Sequence, residues 1–131
     1  MTQLEICTRK RSEFVEVTDL VRRAIRDSGQ NASAVIVSSP HTTAGITIQE
    51  NADPDVVHDL ILWLDSRIPK DLKGFRHAEG NSDSHLKTML IGTSVTVPVS
   101  NGELVLGTWQ GIYFCEFDGP RNRTVHVTLL S

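Results

Sequence analysis

Leu4, Ile6 and Thr8 alternate with Glu5, Cys7 and Arg9, the period-two pattern of a half-buried strand. Lys10, Arg11 and Ser12 form a polar turn, and Phe14, Val15 and Val17 predict a second short strand, so the chain is expected to open with a hairpin. Thr18 is suited to cap a helix, with Asp19 in its first turn where the dipole favours negative charge. Leu20, Val21, Ala24 and Ile25 make its apolar stripe, and Gly29 is the expected left-handed end. The unbroken run Ala34 to Val37 predicts a strand covered on both faces. After a polar loop from Ser38 to Gly45, Ile46 and Ile48 alternate with Thr47 and Gln49 in the next strand.

Asp53 and Pro54 open a second helix as cap and first helical residue. Val57, Leu60, Ile61, Leu64 and Ile68 recur at helical spacing, the clearest amphipathic pattern in the chain. Leu86, Met89 and Leu90 predict a third helix, capped by Asn81 or Ser82 and ended by Gly92. Val95, Val97 and Val99 alternate in a strand whose Pro98 argues for a sheet edge. Asn101 and Gly102 signal a tight hairpin turn into a long returning strand, Leu104 to Phe117, interrupted by Gly107 and Gly111. Val125, Val127 and Leu129 alternate in the last strand, with His126 and Thr128 opposite.

Composition narrows the classes. The 131 residues suit one domain, and 39% hydrophobic with 22% charged residues is ordinary for a folded soluble chain. A net charge of -3 argues against nucleic acid, which requires a basic surface. No apolar run approaches the roughly 20 residues of a membrane span, and no signal segment precedes Arg11, so a cytoplasmic location is expected. Cys7 and Cys115 read as small buried hydrophobes rather than functional thiols.

The chemistry-bearing residues concentrate in the loop Phe75 to His85 and the loop around His41. His41, His77 and His85 are the candidate metal ligands, for zinc with an open fourth position, and Glu79 is the nearby carboxylate to orient or deprotonate bound water. Their spacing matches no self-sufficient metal motif, and the plainer alternative is a set of capping and solvated residues. Glu50, Asp53, Glu79 and Asp83 offer oxygens to magnesium, although Asp53 is explained as a helix cap. His58 and His126 have no donors near them at useful spacing. Arg121 and Arg123, with Lys87, are candidates to hold a phosphate, and Trp109 with Gln110 offers a flat face and an amide. Glu50 and Glu79 are the candidate catalytic groups; Thr42, Thr43, Asn51, Asn81, Trp109, Gln110 and Arg121 are the candidate substrate contacts. No Walker loop, GxGxxG, GxSxG or CxxC is present, which disfavours triphosphate, Rossmann, serine-hydrolase and structural-zinc chemistry.

Pro40 to Ala44, Glu50 to Pro54, His77 through Glu79 and Gly80 to His85, Leu86 and Lys87, and Gly107 to Ile112 resemble the motifs of the YjbQ family, also called the secondary thiamine-phosphate synthase family. Gln49 departs from the asparagine usual there. The resemblance implies a compact α+β fold of mainly antiparallel sheet with a few helices, assembled as a homotrimer. It implies a metal site to which His41, His77 and His85 map, and a transferase joining a pyrimidine diphosphate to a thiazole phosphate with loss of pyrophosphate. The alternatives are a zinc-type hydrolase of a small phosphorylated or carbonyl substrate, and a non-catalytic trimeric module that binds metal or ligand.

Overall fold

Every strand pairing in the computed structural model, which describes residues 1–131, is antiparallel. The elements run β1 (Thr2–Cys7), β2 (Glu13–Glu16), α1 (Thr18–Ser28), β3 (Ala34–Ser38), β4 (Ala44–Glu50), α2 (Pro54–Arg67), α3 (Ser82–Ile91), β5 (Ser94–Ser100), β6 (Glu103–Leu104), β7 (Gln110–Glu116) and β8 (Asn122–Leu130). They form a five-stranded sheet, ordered β1-β8-β3-β5-β6, and a three-stranded sheet, ordered β2-β7-β4. The fold is α+β, as the family resemblance implied, in a single domain.

Alternation sets the layers. Val35, Val37, Val97, Val125 and Val127 of the larger sheet meet Ile46, Ile112 and Phe114 of the smaller one, with Val21 and Ile25 of α1 completing this core. The opposite face of β7 carries Tyr113 and Cys115, which pack with Phe117, Leu64 and Ile68 under α2 and α3. The smaller sheet is therefore the middle layer, and period-two alternation on β7 serves two cores at once.

The structure corrects several expectations. There is no opening hairpin: β1 pairs with β8 and β2 with β7, so the turn at Lys10 to Ser12 carries the chain from one sheet to the other. Strand β3 is covered on one face only, with Val35 and Val37 buried and Ile36 half-buried outside. The long strand from Leu104 to Phe117 is two strands in different sheets, because the backbone leaves at Val105 and rejoins at Gln110. Helix α2 buries only Leu64 despite its pattern, and Trp63 is 58% exposed. Cys7 is exposed, whereas Cys115 is buried and its thiol is pushed up by that burial. Helix capping is mixed. Asp53 accepts from the Asp55 N–H at 2.9 Å, and Gly29 takes φ 64°, both as expected. The Thr18 hydroxyl does not cap α1 but accepts from Ile112 N–H and donates to Glu16. No helix is long and apolar enough to cross a membrane.

One close approach positions α3. Ile46 N–H donates to the carbonyl of Gly92, just past the end of α3, at 3.1 Å. A Cβ on Gly45 would collide with that backbone carbonyl, so glycine is what lets the helix end lie against β4. Gly45→Ala is expected to destabilise the fold by about 2–4 kcal/mol, with a corresponding fall in thermal midpoint. A melt indistinguishable from wild type would show that the approach is not required.

Candidate functional site

The turn at Pro40 explains where His41 goes. Strand β3 pairs with β8 as far as Ser38 opposite His126, and then turns away. The next inward-facing ladder donor on β8, Thr124 N–H, has no strand carbonyl to meet. His41 Nε2 accepts it instead, at 2.9 Å. The imidazole thus stands in for a missing piece of sheet, and an unpaired backbone donor is avoided. Because Nε2 is the acceptor, the ring's proton sits on Nδ1. Burial, and after it the positive charge of Arg123, holds His41 below the ordinary histidine value of 6.5 and keeps it neutral.

Beside it, His41 and Thr42 face His85, Thr88, Met89 and Thr93 across an open cleft of about 390 Å³. Residues 85, 88 and 89 share a face of α3 by their i, i+3, i+4 spacing, which places them together at this cleft. His77 stands edge-on to His85 with ring centroids 5.4 Å apart, and Glu79 Oε2 lies 3.7 Å from His77 Nε2. The lining contains imidazoles and hydroxyls and no carboxylate.

The His41 loop is anchored to a buried ion pair. Arg123 donates from Nε and Nη2 to Glu116 and from Nη2 to the Thr43 hydroxyl at 2.8 Å, all buried. Thr43 is therefore a buried link and not a surface contact. Arg123 binds Glu116 and is not the phosphate holder expected of it, and Lys87 is held in this structure by Asp65 and Asp83. Arg121 pairs with Asp118, whose carboxylate also receives Asn81 Nδ2 at 2.7 Å. Asn81 sits at the start of α3, yet its side chain makes no cap bond and its buried Oδ1 is unpaired.

The remaining candidates are elsewhere. Register pairs Ala44 with Glu116 at one end of β4 and Glu50 with Gln110 at the other. Six residue steps of strand separate the ends by about 20 Å. Glu50, Asn51, Trp109 and Gln110 gather at the far end, where Asn51 donates to Glu16 and Trp109 is 62% exposed. Within one chain the structure does not bring them to the histidines. His58 pairs with Asp59 on the surface. Thr88, Met89, Gly92 and Thr93 were missed by sequence reasoning, although helical spacing from His85 signals the first two.

A metal does not fit this donor set. No group of three or more His, Cys, Asp or Glu side chains is placed to hold one. His41 is turned the wrong way: its Nε2 is committed to Thr124 N–H and its Nδ1 carries the proton, leaving no lone pair for a cation.

Comparison with known proteins settles the lineage. The model of the family described as UPF0047 protein YjbQ-like matches residues 2–131. The chain belongs to the UPF0047, YjbQ-like family. It is 48% identical to UPF0047 protein YugU of Bacillus subtilis over 127 residues, covering 97% of this chain and 96% of that one. It is 49% identical to a UPF0047 protein of Methanocaldococcus jannaschii over 126 residues, covering 96% and 91%. The crystal structure of an uncharacterized conserved YjbQ/UPF0047 protein from Clostridium acetobutylicum superposes with a TM-score of 0.95 at 47% identity, covering 99% and 100%. These UPF0047 descriptions give a family and no activity. The expected thiamine-phosphate synthase activity is therefore overturned, since none of them carries it. The zinc-type hydrolase and the metal-binding module go with it, their common metal site being absent from the geometry.

Protonating His41 would strand Thr124 N–H, and this gives the sign of a pH effect. A base held below its ordinary value binds its proton more weakly when folded, so its contribution is full above about pH 6.5 and lost as pH falls below it. Asp83 and Glu116, both held below their ordinary 3.8 and 4.5, lose theirs only at lower pH. Chemical denaturation between pH 7.5 and 5 is expected to show falling stability, with the slope reduced in His41→Gln. An unchanged slope in the variant would remove His41 as the source.

Proposed function

We propose that the protein is an enzyme that binds a small anionic substrate, of the phosphorylated class, in the cleft between the His41 loop and α3. The observation that carries this reading is the cleft's lining of hydrogen-bond donors without a carboxylate. His41 Nδ1–H and the hydroxyls of Thr42, Thr88 and Thr93 suit anionic oxygens. His85 is the proton-transfer group, because its ring borders the cleft and His77 stands behind it with Glu79 beyond. In this arrangement His77 and Glu79 are positioning residues that orient the His85 ring. Glu50, Asn51, Trp109 and Gln110 have no role in the cleft of their own chain.

A homotrimer is part of the same proposal. Met89 at the cleft rim is 69% exposed and Leu90 beside it 64%, while Trp109 is exposed at the opposite end of the smaller sheet. Apolar surface at two separate places suits a head-to-tail ring better than a two-fold pair. Sedimentation at about three times the 14.5 kDa chain mass is the expected result. The cytoplasm is the proposed compartment, consistent with two cysteines that form no disulfide.

The test is a panel of small phosphorylated and carboxylated compounds screened by histidine-ring NMR and then for turnover. A true substrate is expected to shift the His41 and His85 ring signals together. His85→Ala should then lower turnover by about 10²–10⁴-fold while binding changes much less. Full turnover in His85→Ala, or ligand shifts confined to Trp109 and Gln110, would refute the assignment.

A further inference from the structure

A second charged cavity lies across α3 from the histidine cleft. Arg11 and Ser12 of the β1–β2 turn, Asp65 and Lys70 at and just beyond the end of α2, and Asp83 and Lys87 of α3 enclose about 320 Å³. Asp83 and Lys87 project from the helix roughly opposite His85 and Met89, so the two sites share a wall but no lining residue.

Lys87 is 1% exposed, and a lysine is buried this deeply only when paired. Its Nζ lies 2.6 Å from Asp65 and 3.5 Å from Asp83, with the Phe117 ring 6.0 Å away. Asp83 is fully used: Arg11 grips both of its oxygens at 3.0 Å, and these cations hold its carboxyl below the ordinary range although burial alone would raise it. Asp65 differs, for its side chain is 52% exposed and held only by Lys87. It is free to swing into water.

Charge around the cavity points the same way. Its lining has three cations against two carboxylates, in a chain whose net charge is -3. The flanking segments 9–11 and 67–76 contain seven of the chain's thirteen Lys and Arg residues. The excess of positive charge there favours anions over the rest of the surface.

We propose that this cavity binds the phosphate group of a small phosphorylated molecule, which displaces Asp65 from Lys87. A phosphate brings three oxygens to three donors, Arg11 Nε, Lys70 and Lys87, where a carboxylate would leave one unmet. The inference does not rest on the His85 reading, since the two sites have different residues and different variants.

The probe is inorganic phosphate, titrated at constant ionic strength into the full-length protein and followed by backbone amide NMR. Saturable shifts are expected at Ser12, Lys70 and the first two turns of α3. Lys70→Ala, at an exposed position, should weaken binding by about threefold, and Asp65→Asn should tighten it by about threefold. His85→Ala should leave it unchanged. No saturable shift, shifts restricted to His41 and Thr93, or tighter binding in Lys70→Ala would each overturn the proposal. Should Asp65→Asn fail to fold, the wild-type shifts and Lys70→Ala decide it.

Discussion

The Glu116–Arg123 ion pair is the constraint on which the rest of the molecule hangs. Glu116 ends β7 in the smaller sheet and Arg123 is the second residue of β8 in the larger, so the pair bolts the two layers together where the chain turns between them. Glu116 is fully buried, and burial alone would raise its carboxyl. The hydrogen bonds from Arg123, Asp118 N–H and the Thr8 hydroxyl outweigh that and hold it ionised. Each carboxylate oxygen has two donors, which is what makes a buried pair tolerable. Losing one partner of such a pair costs about 3–5 kcal/mol because the other charge is left unmatched.

Reaching outward, the same guanidinium organises the cleft. Arg123 holds Thr43, Thr43 fixes the loop after Pro40, and that loop delivers His41 to Thr124 N–H. The positive charge that secures the loop also keeps His41 neutral, as its role as an acceptor requires. From the other side, Gly45 lets the end of α3 approach β4 and brings His85 and Thr88 to face His41. Structure and site chemistry are here one network, and this is why His41 has no lone pair free for a cation.

Much of this was legible in the chain. The helix from Thr18, the cap at Asp53, the turn at Asn101 and Gly102 and the last strand follow from local patterns, and the structure contains them. Sheet membership was not legible, because β1 and β2 are adjacent in sequence and each has a hairpin-like pattern, yet the choice of partner depends on strands more than ninety residues away. Arg123 was readable in principle: it shares the inward face of β8 with Val125 and Val127, and a charge at such a position demands a buried partner. The grouping of His41, His77 and His85 in one region was anticipated from their loops. Their donor geometry was not, since the direction of a ring nitrogen depends on a backbone amide eighty-three residues away.

The most direct test of this account is the protonation of the His41 ring, read by long-range proton–nitrogen correlation at pH 7.5 with and without added zinc. The account predicts a neutral ring with the proton on Nδ1 and Nε2 bare, unchanged by the metal. A proton on Nε2, or a zinc-induced change at Nδ1, would contradict it, because His41 would then be available as a ligand and the cleft would lose its donor.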